Sequence, residues 1–209
     1  MKNLLVLSIF SIIFLFAKKA SANDSTCVSI INGAKKLCQE NKYKAAIILI
    51  DSSMNLCDNK IELYNLRACV SIHSSYVNDE VTAKYAIADF TKAIALNDKN
   101  FMLYSNRGWA YSNIDDFTNA LKDYKMALNL DSSKVENYGN VLRMLWVKNR
   151  FKEAYAFSEK IIAKFPNNGY AYHVRGNLKR DYLHKYPEGN IDIKKSEILF
   201  WKQGMLLYE

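Results

Sequence analysis

Residues 101–134, FMLYSNRGWAYSNIDDFTNALKDYKMALNLDSSK, constrain this chain more than any other stretch. They read as two amphipathic helices parted by a turn at Ile114, Asp115 and Asp116. Tyr104, Arg107, Gly108 and Tyr111 share one face of the first helix; Ala120, Tyr124 and Ala127 share one face of the second. Two antiparallel helices approach closely only where a side chain at their crossing is small. Gly108 and Ala120 supply that gap, and the aromatics fill the space beside it. Ala127 leaves room for a following hairpin, and Ser132 is placed to cap that hairpin's first helix. One hairpin cannot cover its own apolar faces, so the pattern predicts neighbours built the same way.

The neighbours are present. Residues 135–168 carry Tyr138, Leu142, Leu145, Ala154, Ser158, Ile161 and Pro166 in the same register. Upstream, the run AIADFTKAI at 86–94 is a second-helix signature, and Tyr64, Arg67 and Ala68 mark its first helix. That repeat, 61–100, is six residues longer than the others, with the excess between its helices at 73–82. Residues 27–60 place Ala34, Tyr43, Ala46 and Ser53 in register, and Tyr172, Arg175 and Gly176 open a fifth unit in which 185–190 is a hydrophilic connection. The order of large residue, Gly, Tyr, Ala, aromatic and Ala resembles the tetratricopeptide repeat (TPR). The resemblance implies an all-α fold, a right-handed α-solenoid of about five helix hairpins at 27–60, 61–100, 101–134, 135–168 and 169–209. These would form one TPR-like superhelical domain over 23–209. With 7 Gly and 2 Pro in 209 residues, few helix breakers stand against it.

Residues 1–22 read as a secretory signal peptide. Lys2 opens it, 4–17 is apolar apart from Ser, and Ala20-Ser21-Ala22 is a small-residue cleavage site, with cut expected after Ala22. Retention as an anchor is the alternative, but the run would span roughly 21 Å as a helix against a hydrocarbon core of ~30 Å. The mature chain is therefore expected in a secreted or periplasmic compartment, without membrane insertion. Losing Lys2, Lys18 and Lys19 takes the formal charge from +8 to +5, with both signs interspersed. There is no basic block, which argues against nucleic acid.

Cys27, Cys38, Cys57 and Cys69 all fall in the first two repeats, an even count that suggests disulfides in an exported chain. Three pairings exist. Hairpin packing favours Cys27–Cys57, because the first opens one helix and the second closes its partner. Cys38–Cys69 would then join adjacent first helices. The spacing lacks a C-x-x-C, so no metal site is expected.

His73, His173 and His184 are scattered, and no nucleophile, metal or phosphate-binding motif appears, so no enzyme activity and no cofactor are expected. Asp115 and Asp116 read as a helix cap, and the recurring Arg-Gly at 107–108 and 175–176 as packing. The resemblance implies a scaffold that binds a protein or peptide partner in a groove lined by first helices. Its lining residues would be Asn65, Asn106, Trp109, Asn140, Arg143, Trp146, His173 and Asn177, with Asn106, Asn140 and Asn177 as an amide ladder awaiting a ligand. Ser105, Trp109, Glu136 and Gly139 replace the basic set that the family's chaperone-tail clamp needs, which disfavours that ligand. The alternatives are a regulatory subunit of an envelope enzyme complex and a self-assembling structural protein. The apolar last helix, from Ile198 to Tyr208, suggests a homo-oligomer contact.

Overall fold

The computed structural model describes residues 23–58, 60–74 and 80–202. The signal-peptide segment lies outside them, as do Met205 to Tyr208 of the apolar tail. Among the described residues the chain is helical: α1 (Asn23–Gln39), α2 (Tyr43–Ser53), α3 (Lys60–Ser74), α4 (Glu80–Leu96), α5 (Phe101–Ser112), α6 (Phe117–Leu130), α7 (Val135–Val147), α8 (Phe151–Lys164), α9 (Gly169–Asn177) and α10 (Tyr186–Lys202). A five-residue π-helical turn, Leu178–Tyr182, prolongs α9. Helices pair in sequence order as hairpins. The chain divides into two compact units between Lys99 and Asn100.

The first unit holds α1–α2 and α3–α4 around Ile31, Ala34, Ala46, Ile50, Leu63 and Val70. The second holds α5–α6, α7–α8 and α9–α10 around Ala120, Tyr124, Leu142, Leu145, Ala154, Ile161 and Leu178. The small residues lie at the crossings as the pattern requires. A Cβ added to Gly108 would stand 3.0 Å from the Tyr124 ring and 3.3 Å from the Ala120 carbonyl oxygen. The last hairpin is tighter, since Gly176 and Gly189 face each other: a Cβ on Gly189 would lie 2.7 Å from the Gly176 carbonyl oxygen.

Four of the five hairpins turn on one residue in the left-handed region, Asn41, Asp115, Asn149 and His184, with φ of 54–58°; the α3–α4 connection lies outside the described residues. Asn, Asp and His tolerate this conformation better than other side chains. Asp116 then caps α6, its carboxylate accepting from the Asn119 N–H, as its sequence position suggested. Two local expectations need correction. Ser132 does not cap α7; Asp131 instead accepts from the N–H and hydroxyl of Ser133, and α7 starts after Lys134 with no side-chain cap. The hydrophilic stretch 185–190 is not a connection either. Its residues from Tyr186 on are the first turns of α10, where Pro187 has no N–H to lose.

Cys27 and Cys57 are joined, with Cα atoms 5.5 Å apart, at the open end of the first hairpin. The second expected bridge is absent: Cys38 and Cys69 are thiols. The Cys69 sulfur lies 4.0 Å from Asn65 Oδ1, one turn back on its own helix. Burial, and then proximity to Cys38, pushes the Cys69 thiol up to about 11, so it stays protonated and unreactive.

Two outcomes follow. Reducing Cys27–Cys57 should cost about 2–4 kcal/mol, with hydrogen exchange rising in 23–99 first and thiol counting on the oxidised, unfolded chain giving two. In urea unfolding, Gly176→Ala should cost roughly 1–3 kcal/mol through overpacking, whereas Gly139→Ala, with open space around its Cβ, should be neutral or gain up to about 1 kcal/mol.

Candidate functional site: the first-helix face of the second unit

The recurring first-helix arginines are explained by partners that the sequence pattern did not reveal. Arg107 donates from Nε and Nη2 to both carboxylate oxygens of Asp123, at 2.7 and 2.9 Å. Arg67 grips Asp89 the same way at 2.6 and 2.8 Å, and Arg175 grips Asp192 at 2.8 and 2.8 Å. Each guanidinium also lies over the ring of the tyrosine three residues earlier, Tyr104, Tyr64 or Tyr172. The pair ties first helix to second in each of these three hairpins, so these arginines are committed and form no anion site. Their separations carry the signal that could have exposed them: 16 residues for Arg107–Asp123, 22 for Arg67–Asp89 and 17 for Arg175–Asp192. The longer two are the first plus the six-residue insertion, and the first plus the one residue of the π turn. At the corresponding places the other two hairpins carry Gly33 with Leu49, and Val141 with Phe157.

Of the predicted lining residues, Asn65 belongs to the first unit and the rest to the second. On α7, Asn140 donates to Ser105 Oγ of α5 at 3.3 Å, and on α9 Asn177 donates to His173 Nε2 at 3.0 Å. Asn106 and Trp109, both half-buried on α5, have interactions of their own. Among the described residues no buried side-chain polar atom lacks a partner. The amide ladder is therefore not a row of unsatisfied groups: two of its three members turn to neighbours on this face, and the argument from unpaired amides falls.

What remains open is the end of the face. Trp146 packs edge-on against Phe151, ring centroids 5.7 Å apart, and also borders a cavity of about 200 Å³. Tyr170, His173, Val174 and Asn177 of α9 complete the lining. Arg143, one turn before Trp146, is exposed, and its guanidinium donates to the Tyr124 hydroxyl at 3.3 Å. Burial pushes the Tyr170 hydroxyl above the usual tyrosine value, and the nearby Arg143 charge partly offsets it. No cluster of three or more His, Cys, Asp or Glu is placed to hold a metal ion among the described residues, and no described helix is long and apolar enough to cross a membrane.

No family model matches the chain. The human tetratricopeptide repeat protein 6 is 35% identical over 72 residues, 34% of this chain and 13% of that protein. The small glutamine-rich tetratricopeptide repeat-containing protein 2 of Saccharomyces cerevisiae is 22% identical over 169 residues, 80% of this chain and 46% of that protein. The chain thus spans less than half the length of these relatives. Among solved structures, MamA has a TM-score of 0.71 at 17% identity, over 83% of this chain and 97% of that one. YrrB, described as a TPR protein with an unusual peptide-binding site, has 0.66 at 18% identity, over 92% and 94%. The likeness shows the fold, an α-solenoid of TPR type.

The hairpin ion pairs make a pH-dependent contribution. Burial alone would raise Asp192, but hydrogen bonds from Arg175 and Lys179 outweigh it and hold its carboxyl below the ordinary aspartate range. A depressed carboxylate stabilises the fold above its unfolded pKa of about 4 and loses that contribution as pH falls through the lower native value. Urea midpoints between pH 5 and pH 2 should fall less steeply in Asp192→Asn than in the parent. At neutral pH Asp123→Ala, which removes the carboxylate that Arg107 grips, should cost about 3–5 kcal/mol, while Arg107→Val with Asp123→Phe should restore most of it.

Proposed function

Because the chain is a tetratricopeptide-repeat protein, we propose that it is a non-catalytic protein-interaction scaffold that holds a partner's extended segment against the first-helix face of α5, α7 and α9. The observation that carries this reading is Arg143. Arg67, Arg107, Arg150, Arg175 and Arg180 each meet a carboxylate. Arg143, alone among the described arginines, meets none, and it stands exposed beside half-buried aromatics. Arginine and tryptophan of this kind are the residues that dominate binding energy at interfaces. The peptide-binding site named for YrrB agrees with such a use of the fold.

The compartment we propose is secreted or periplasmic, with the leader cleaved after Ala22. The reading rests on the leader's sequence and on a disulfide that suits an oxidising environment. A second contact is proposed at the last helix. Trp201 is 76% exposed and Ile191 and Ile198 lie on the same side of α10, which favours association of two copies through this end.

A peptide-display library panned on the protein tests the main reading. Selected peptides should lose roughly 1–2 kcal/mol of affinity on Arg143→Ala, with the melting temperature unchanged. Lys122→Ala and Lys152→Ala on second helices should bind as the parent does; peptides that respond to these and ignore Arg143 would place the surface elsewhere. Sedimentation at tens of micromolar should show concentration-dependent mass that Trp201→Ser and Ile198→Ser remove.

A further inference from the structure

Resting on that reading, we infer that the cavity between α7 and α9 takes one aromatic side chain of the partner segment, while Arg143 takes a carboxylate from the residue next to it. The face is thus specific for a short aromatic–acidic motif in an extended peptide.

Size sets the first limit. A site for a small-molecule ligand usually needs ~300 Å³ or more. At about 200 Å³ this cavity admits a single large side chain. The lining sets the second. Trp146 and Tyr170 supply two aromatic walls and the buried Val174 a floor, so a ring can lie edge-on or offset against either wall. The polar edge is made by its own pair: the Asn177 amide nitrogen lies 3.0 Å from His173 Nε2, and the Asn177 side-chain carbonyl oxygen is a group that can accept a peptide N–H.

Charge sets the third limit. The Arg143 guanidinium is held from behind by the hydroxyl of Tyr124, a residue itself anchored in the α5–α6 hairpin. It keeps donors to spare, because one neutral hydroxyl is its only hydrogen-bond partner among the described residues. A carboxylate is the group that uses such a fork bidentately. Arg143 stands three residues before Trp146 on α7, so the two project from one side of the helix about one turn apart, within reach of neighbouring side chains of one extended segment. Glu136, the other charged residue predicted on this side of α7, borders a different cavity, with Lys134, Lys164 and Phe165.

The test uses the protein and three synthetic peptides, Ac-Ser-Gly-Phe-Asp-Gly-Ser-NH2 and its Phe→Ala and Asp→Asn forms. Binding is read from the Trp146 indole N–H resonance, assigned with Trp146→Phe. The Phe-Asp peptide should move this resonance, the Asn form should bind at least fivefold more weakly, and the Ala form should not move it. Arg143→Gln should erase the preference for Asp over Asn while keeping the requirement for Phe. Equal binding of the Asp and Asn forms, or shifts at Trp109 or Trp201 without Trp146, would overturn the inference. Library peptides that need Arg143 yet carry no aromatic–acidic pair would also overturn it, and would leave the scaffold reading standing.

Discussion

The fold depends on how closely two helices of a hairpin approach. At Gly108 and Ala120 the gap is narrow enough that a methyl group would press the Tyr124 ring. The same ring, fully buried, reaches past its own hairpin, where its hydroxyl supports Arg143 on α7. The small residue, the aromatic that fills the space beside it and the arginine on the next first helix are thus one mechanical sequence. A side chain at Gly108 would be felt at the candidate site without touching it.

Close crossing also explains why the Arg–Asp pairs are tolerated. A buried ion pair rarely stabilises more than a well-packed apolar pair, and two hairpins manage with Gly33 and Leu49 or Val141 and Phe157 instead. What the charged version adds is register. A bidentate fork, with a tyrosine ring under it, accepts one carboxylate position and rejects its neighbours. The two hairpins that depart from 34 residues, by six residues in one and a π turn in the other, both keep this pair. The insertions are absorbed between its two anchors, and the helix faces beyond it stay in phase.

Much of this was legible in the sequence. The hairpins, their small-residue crossings, the Cys27–Cys57 bridge and the Asp116 cap all come from local periodicity and from residues whose role is nearly independent of context. What escaped depends on side-chain direction. Asp89, Asp123 and Asp192 look like ordinary helix-surface acids, because their partners lie on another helix and two of the three separations are shifted by insertions. Cys69 sits at a plausible height for Cys38, yet both remain thiols, and its sulfur is within 4.0 Å of Asn65 on its own helix. Asn140 and Asn177 occupy the expected face, yet each finds a neighbour at hydrogen-bonding distance, which residue spacing along a helix cannot show.

The site differs from the rest of the molecule in how its charge is used. Elsewhere the first-helix arginine points towards its own second helix and is neutralised there. In the fourth hairpin that place is taken by Val141, with Phe157 at the partner position, both part of one apolar cluster, so no guanidinium is needed there. Arg143, two residues further on, projects from a different side of α7. Its charge is set against a neutral hydroxyl and near the Tyr170 ring, an arrangement that contributes little to holding the helices together. An exposed arginine costs the fold little to keep, and little to lose. That independence from folding lets a single side chain set which segments the face accepts without disturbing the array that presents it.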